Sequence, residues 1–550
     1  MRVVSGLVRA ARQSPGASAR APAPERPTVS GRMKRVVQAA VMMATLTCAA
    51  GIVSPPSASA QPAPAADVNG DGRVTVDDLE SSVIQIQAAM SAGRVTSEGL
   101  TRAYLGRIKK YDDAPRLGPL GPPNAVLTLN RHAIAEARAL DRARAAHPDR
   151  SPLYGVPVLL KDNIGTRDMP TTAGCRCLRD NRPGDDSVVV QRLRRAGAVI
   201  LGKTNLDEFA VNTLGASSLG GLTLNAYSPG QSSGGSSGGS AVSVALAFST
   251  LAFGTDTGGS VRTPSSWNSV VGVRPSTGVV SRTGVIPLAL SQDTVGPIAR
   301  NVSDAAIALA VIAGRDPADQ ATSAATKVAL AQPVPHALKG AVIGVASNLN
   351  GDDPATRAIM DDSIRTLRRA GAIVRTVAVT PPRFESGSSF EIRPEIDAYL
   401  AGQAGPSARG KTLAELVNSG QSLLALDPRT PARLGVTDAQ YRTQLVAHQR
   451  RIGSYRTHLT RLMDSAGLDA IVYPTTPGPP TGLAGDNVYI APLSGMPAVT
   501  VPAGYRYGSG REVSGATGIE FLGRRFADSD LLSLAADFDR LHHARVRPVP

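Results

Sequence analysis

Residues Gly234 to Pro264 read GGSSGGSAVSVALAFSTLAFGTDTGGSVRTP, two glycine-serine blocks with an apolar run between them. A flexible linker would be glycine and serine throughout. Ala241-Val242-Ser243-Val244-Ala245-Leu246-Ala247-Phe248 is instead apolar and suited to a buried helix. Glycines that bracket buried elements mark close backbone approach or unusual dihedral angles. Each block therefore reads as a built turn at the edge of a core.

The rest of the chain supplies that core. Helical periodicity runs through EGLTRAYLGRIKKY, HAIAEARALDRARAA and DAQYRTQLVAHQRRIGSYRTHLTRLM, while short apolar strands, VPVLL, AVIL, AVIGVA, AIVY and AVTVP, alternate with them. The alternation predicts an α/β fold: one large domain over residues 79–546, with a mixed, mostly buried sheet covered by helices on both faces. Residues 381–435, rich in Gly, Ser and Pro, are expected to be the most loop-like interior part and a substrate-side insertion.

Residues 1–60 read as a leader. Met33-Lys34-Arg35 precedes the apolar run Val36 to Val53 and the small-residue ending Ser57-Ala58-Ser59-Ala60, the pattern of a secretory signal peptide with cleavage before Gln61. Met33 is a candidate for the true start. A membrane anchor is the alternative, because 18 apolar residues are at the short end of a bilayer span; Pro55-Pro56 and the A-x-A ending favour cleavage. The expected product is secreted, with no stable membrane span. Of the net charge of +15, +7 lies in residues 1–60, and the remaining +8 contains no lysine-arginine block, which argues against nucleic-acid binding. Cys175 and Cys177 are the two cysteines beyond the leader. With one residue between them they would make a strained disulfide at best, and two thiols cannot build a structural zinc site alone, so their expected role is that of two small packing residues.

A short tether, 61–66, leads to DVNGDGRVTVDDLE. Asp67, Asn69, Asp71, Thr75 and Asp78 fall at positions 1, 3, 5, 9 and 12 of a calcium loop of the EF-hand or dockerin type, with the Arg73 carbonyl at position 7 and Gly72 at the sharp turn. Against this, Asp78 is shorter than the usual glutamate, and no second loop follows. The alternative is an Asx-Gly turn in which Asp77 or Asp78 caps the next helix.

Three short matches mislead. GAVILGKT fits a phosphate-loop pattern, but its middle residues are a buried strand where a phosphate cradle needs exposed backbone. GGSSG fits a nucleophile elbow, yet no apolar strand runs directly into it. Asp256-Thr257-Gly258 matches an aspartic protease half-site without a second one.

The larger pattern resembles the amidase signature family. It is carried by Gly234 to Ala241, by Gly254 to Pro264 (GTDTGGSVRTP) and by YGVPVLLKDNI, Tyr154 to Ile164; AGAVILGKTNLDEFA, GVVSRTGVIPLALSQDTVGPIARNVSDAA and SGMPAVTVPAG support it. The resemblance covers about residues 79–546 and implies the amidase signature fold. It implies Ser260 as nucleophile, Ser236 as a bridging serine on a cis peptide bond, and Lys161 as base, at spacings of 24 and 75 residues. The backbone N–H groups of Thr257, Gly258, Gly259 and Ser260 would form the oxyanion hole. Within the family the layout is most similar to secreted or periplasmic peptide amidases and general amidases. One component of a tRNA-dependent amidotransferase shares the block, but export argues against it.

The chemistry stands on its own terms. A serine hydroxyl needs a base, and none of the seven histidines lies in these motifs. Lysine serves only where burial keeps its amine neutral, and Lys161 ends an apolar strand. Ser236 can relay a proton between Ser260 and Lys161 and return it to the departing amine. The competing readings are structural: Lys161 paired with Asp162 or another acid, Asp256 with Arg262 as an ion pair, and Ser237 hydrogen-bonding near Lys161. Departures from the family pattern are Ala226 in place of a proline, GCRCL in place of a Gly-Ser pair, and the oxygen-rich loop.

The expected activity is hydrolysis of a carboxamide on a small molecule or peptide, through an acyl-enzyme, with no cofactor in catalysis. The alternatives are an esterase of the same fold and a calcium-dependent docking protein whose amidase domain is idle.

Overall fold

The computed structural model describes residues 66–113, 121–147, 150–327, 332–510 and 512–549. The leader expected over residues 1–60 lies outside them. The described residues belong to one compact unit.

Among the described residues its centre is an eleven-stranded mixed sheet. Across the sheet the strands run Val126–Leu129, Val199–Thr204, Pro157–Lys161, Leu251–Asp256, Thr294–Ala299, Val271–Arg274, Ala498–Tyr507, Val513–Leu522, Ala470–Pro474, Val342–Val345 and Ile373–Thr376. Every residue of Pro157–Lys161, Val199–Thr204 and Leu251–Asp256 is buried. Successive side chains of a strand point to opposite faces, so burial at every position means that both faces are covered. The sequence alternation thus led to the right architecture, and the segment resembling a phosphate loop is the buried strand Val199–Thr204.

The three strands just named are parallel neighbours, with Pro157–Lys161 in the middle. Their carboxyl ends therefore open at one edge, the usual position of a ligand crevice in α/β sheets. Lys161 is the last residue of its strand and Asp256 the last of its own. The apolar run between the glycine-serine blocks forms the buried helix Gly238–Ala245, and a second buried helix, Arg262–Trp267, starts two residues after Ser260.

Close approach explains two of the glycines. A side chain at Gly239 would lie 2.4 Å from the Ala125 carbonyl oxygen, and one at Gly235 would lie 1.7 Å from an Asp207 carboxylate oxygen.

Two expectations fail. The segment 381–435 contains the helices Ile392–Gly402, Leu413–Leu416 and Thr430–Leu434, and Ile392, Ile396, Tyr399 and Leu400 build a second apolar cluster with Leu178, Phe209 and Leu288. Its glycines and prolines punctuate short helices rather than a long loop. Cys175 and Cys177 are joined as a disulfide, with Cα atoms 5.1 Å apart, inside the range a bridge can span. Turning at the single intervening residue, Arg176, brings the sulfurs together.

Candidate active site

Lys161 has no contact with bulk water. Its Nζ donates to Ser236 Oγ at 2.7 Å, to Thr255 Oγ1 at 2.8 Å and to the Thr255 carbonyl at 3.3 Å. Burial drives the amine down to about 7, although the charges of Asp207, Asp256 and Asp293 act in the opposite direction. An uncharged amine is thereby available near neutral pH. Asp162, the first alternative partner, is taken by Lys203 at 3.0 Å.

Ser236 follows a cis peptide bond after Gly235. Its carbonyl accepts from the Asp207 N–H at 3.1 Å, and the N–H of Ser237 donates to the Ser260 carbonyl at 3.0 Å, which brings the two blocks side by side. Among the described residues none hydrogen-bonds the Ser260 hydroxyl. Ser237 hydrogen-bonds beside the amine: its Oγ donates to the Thr255 carbonyl, which also accepts from Lys161 Nζ, and accepts from the Thr255 N–H, each at 3.3 Å.

The turn between Asp256 and Ser260 presents free donors. The N–H groups of Thr257, Gly258 and Ser260 have no acceptor among the described residues. Gly259 differs from expectation, because its N–H donates to Asp256 Oδ1 at 3.0 Å. A carboxylate three residues back captures that donor and tightens the turn, in which Gly259 takes a φ of +102°. Three N–H groups rather than four are thus unengaged.

Asp256 does more than pair with Arg262. Arg262 grips it with Nε at 3.1 Å and Nη2 at 3.2 Å, Arg274 reaches it with Nη1 at 3.2 Å, and the N–H of Val261 donates at 3.1 Å. Arg262 also meets Glu520 at 2.6 Å. All four charged side chains are fully buried.

Sequence reasoning missed several participants. Thr255 and Asn163 complete the polar surroundings of the amine, with Asn163 Nδ2 donating to Thr255 Oγ1 at 3.1 Å. Asn163 is two residues from Lys161 and Thr255 precedes Asp256, so both lie inside motifs already quoted without having been given a role. Asp207 lies under Gly235 and accepts from the N–H groups of Leu214, Gly215 and Ala216. Burial raises its carboxyl to about 6. The aspartate of NLDEF carried that signal only through its place in the resemblance.

In the oxygen-rich loop, Asp67 accepts from the N–H groups of Gly70 and Gly72, and Asp71 from that of Arg73. Asn69 Oδ1 accepts from Asp71. Asp78 accepts from Val68, Asn69 and Thr75 and forms a capping box with Thr75. Among the described residues no group of three or more His, Cys, Asp or Glu side chains is arranged to hold a metal ion.

A buried amine brought down to about 7 thus lies against a hydroxyl, at the mouth of an α/β sheet that also holds unengaged N–H groups. The chain belongs to the amidase family, whose model, described as Amidase, matches residues 99–532. It is 36% identical over 476 residues to a glutamyl-tRNA(Gln) amidotransferase chain of Anaeromyxobacter sp. (strain K), covering 82% of this chain and 94% of that one. The native peptide amidase from Stenotrophomonas maltophilia superposes with a TM-score of 0.74 at 35% identity, over 86% of this chain and 98% of that one. The corresponding glutamyl-tRNA(Gln) amidotransferase chain from Thermotoga maritima gives a TM-score of 0.62 at 25% identity, over 84% and 95%. No helix among the described residues is long and apolar enough to cross a membrane.

Proposed function

We propose that the protein is an exported amidohydrolase that hydrolyses a carboxamide, on a peptide or a small molecule, through Ser260, Ser236 and Lys161. The observation that carries this reading is the 2.7 Å contact between Ser236 Oγ and a buried amine held near neutrality. Ser260 Oγ attacks the carbonyl carbon while its proton passes to Ser236 Oγ, and the Ser236 proton passes to Lys161 Nζ. The N–H groups of Thr257, Gly258 and Ser260 receive the charge developing on the carbonyl oxygen. The same relay, reversed, protonates the departing nitrogen, and water then releases the acid from the Ser260 ester. Asp256 and Arg262 hold the turn that carries the donors, and Ser237 starts the helix Gly238–Ala245.

The peptide-amidase likeness favours free-standing hydrolysis over transfer within an amidotransferase. Its structural agreement is closer than that of the Thermotoga maritima protein, and the leader pattern points to export. Ammonia release from a panel of peptide amides, aryl amides, fatty amides and short aliphatic amides tests the reading, with the matching esters run in parallel. Turnover of at least one amide, with a fluorophosphonate label recovered on Ser260, is expected. Cleavage of esters alone would make the protein an esterase, and turnover with Ser260 unlabelled and dispensable would remove the mechanism.

The proposal that the 67–78 loop takes structural Ca2+ rests on ligand spacing alone. Binding would turn Asp67, Asp71 and Asp78 from backbone N–H groups toward the ion. Millimolar calcium is expected to raise Tm and to leave kcat unchanged; a Tm indifferent to calcium removes the ion.

A further inference from the structure

Two successive peptide units at the site, Asp256–Thr257 and Thr257–Gly258, are each held by the carbonyl end. Arg274 Nη1 donates to the Asp256 carbonyl at 2.5 Å, and Gln292 Nε2 donates to the Thr257 carbonyl at 2.8 Å. The opposite ends of the same two units are the N–H groups of Thr257 and Gly258, which have no acceptor among the described residues. We propose that Gln292 and Arg274 are positioning residues that aim and polarise these two oxyanion donors, an inference that rests on the Ser260 mechanism above.

The peptide unit is planar, so fixing the direction of its carbonyl fixes the direction of its N–H. A donor on the carbonyl also draws electron density from the amide and strengthens the hydrogen bond its N–H gives; such chains reinforce one another where the dielectric is low. Arg274 is a fully buried cation, the stronger kind of donor for this purpose. Neither side chain needs to touch substrate.

Gln292 is itself held in one orientation. Its Oε1 accepts from the Gly387 N–H at 2.5 Å and from Ser386 Oγ at 3.1 Å, and it lies 3.2 Å from His448 Nε2. Donors around the oxygen leave the amide nitrogen to face Thr257. Burial holds His448 down to about 4, so its ring is neutral at pH 7, and the contact with Oε1 assigns the ring proton to Nε2. Phe384 and Phe390 pack edge-on against that ring. The two clamps are also joined, because Arg274 Nη2 donates to the Gln292 carbonyl at 2.7 Å. Gln292 is fully buried, where an idle amide would be costly.

Preorganised donors act on the charge of the transition state and contribute little to ground-state binding. Gln292→Met fills the same space without a donor. In the full chain, with a peptide amide as substrate, it is expected to lower kcat roughly 10- to 100-fold while KM stays within about twofold. Affinity for a peptide aldehyde, whose adduct with Ser260 carries the oxyanion, should fall by the same factor as kcat/KM. Gln292→Glu should be worse than Gln292→Met, since a carboxylate oxygen would face the Thr257 carbonyl. Should Gln292→Met fail to fold, His448→Phe loosens the same amide from outside and is expected to cost a few-fold in kcat at constant KM. A variant whose kcat and aldehyde affinity match wild type, or whose KM alone rises, overturns the clamp. That failure is separate from failure of the mechanism, which would show as undiminished turnover by Ser260→Ala in the otherwise native protein.

Discussion

Lys161→Met is expected to abolish amide turnover, by about 10^3-fold or more, and to leave a protein that resists urea at pH 7 at least as well as wild type. The first half follows from the proposed role of the amine, since general-base catalysis contributes about 10^2- to 10^4-fold and, among the described residues, Lys161 is the basic side chain bonded to Ser236. The second follows from burial. The ordinary lysine value is 10.5, and desolvation brings the folded amine down to about 7. Between these values the unfolded chain binds a proton that the folded chain has released, so stability rises with pH across that window and the lysine is a burden at neutrality. Methionine fits the volume without the burden, at the price of an unpartnered Ser236 hydroxyl. Two measurements check the argument: a urea midpoint, and a pH profile in which wild-type kcat/KM climbs through about 7 as Lys161 becomes uncharged. A variant that unfolds well before wild type, or a wild-type profile flat from pH 5 to 9, would contradict it.

What the sequence made legible was local. Lys161 ends a run of apolar residues and Ser236 and Ser260 sit in glycine-rich blocks, so a few adjacent letters placed each of them. The surroundings were not local. Glu520 reaches Arg262 across 258 residues, and Gln292 reaches the Thr257 carbonyl across 35. Pairing at such separation is fixed by sheet order, in which Thr294–Ala299 lies next to Leu251–Asp256 and Val513–Leu522 lies three strands further along on the same side. Periodicity within one strand does not encode it. Ile392–Gly402 was legible in principle, because Ile392, Ile396, Tyr399 and Leu400 recur at helical spacing. Flanking Gly, Ser and Pro residues obscured it. The Gly259 donor was misassigned because four successive N–H groups around glycines look equivalent as letters, whereas an aspartate three residues upstream folds back onto one of them.

Asp256 marks the place where catalysis and stability meet, and Asp256→Asn is expected to damage both. The carboxylate accepts from two arginines and from the N–H groups of Gly259 and Val261, and these charges hold it well below the usual carboxylate range. Asparagine removes the charge and turns an NH2 group toward donors, leaving Arg274 without a carboxylate partner and Arg262 with Glu520 alone. Breaking a buried ion pair from one side costs about 3–5 kcal/mol, which lowers the urea midpoint by that energy divided by the m value. Turnover should fall with it, because the turn from Asp256 to Val261 carries Ser260 and the three free donors. The pH dependence separates this from a general packing defect. A depressed folded value means that wild type gains stability above about 3.8, the ordinary value, and loses it as pH falls toward the folded one. The midpoint difference between wild type and variant is therefore expected to be large at pH 7 and to narrow below about pH 4. A difference constant from pH 7 to pH 3 would mean that the carboxylate charge is not what holds the turn.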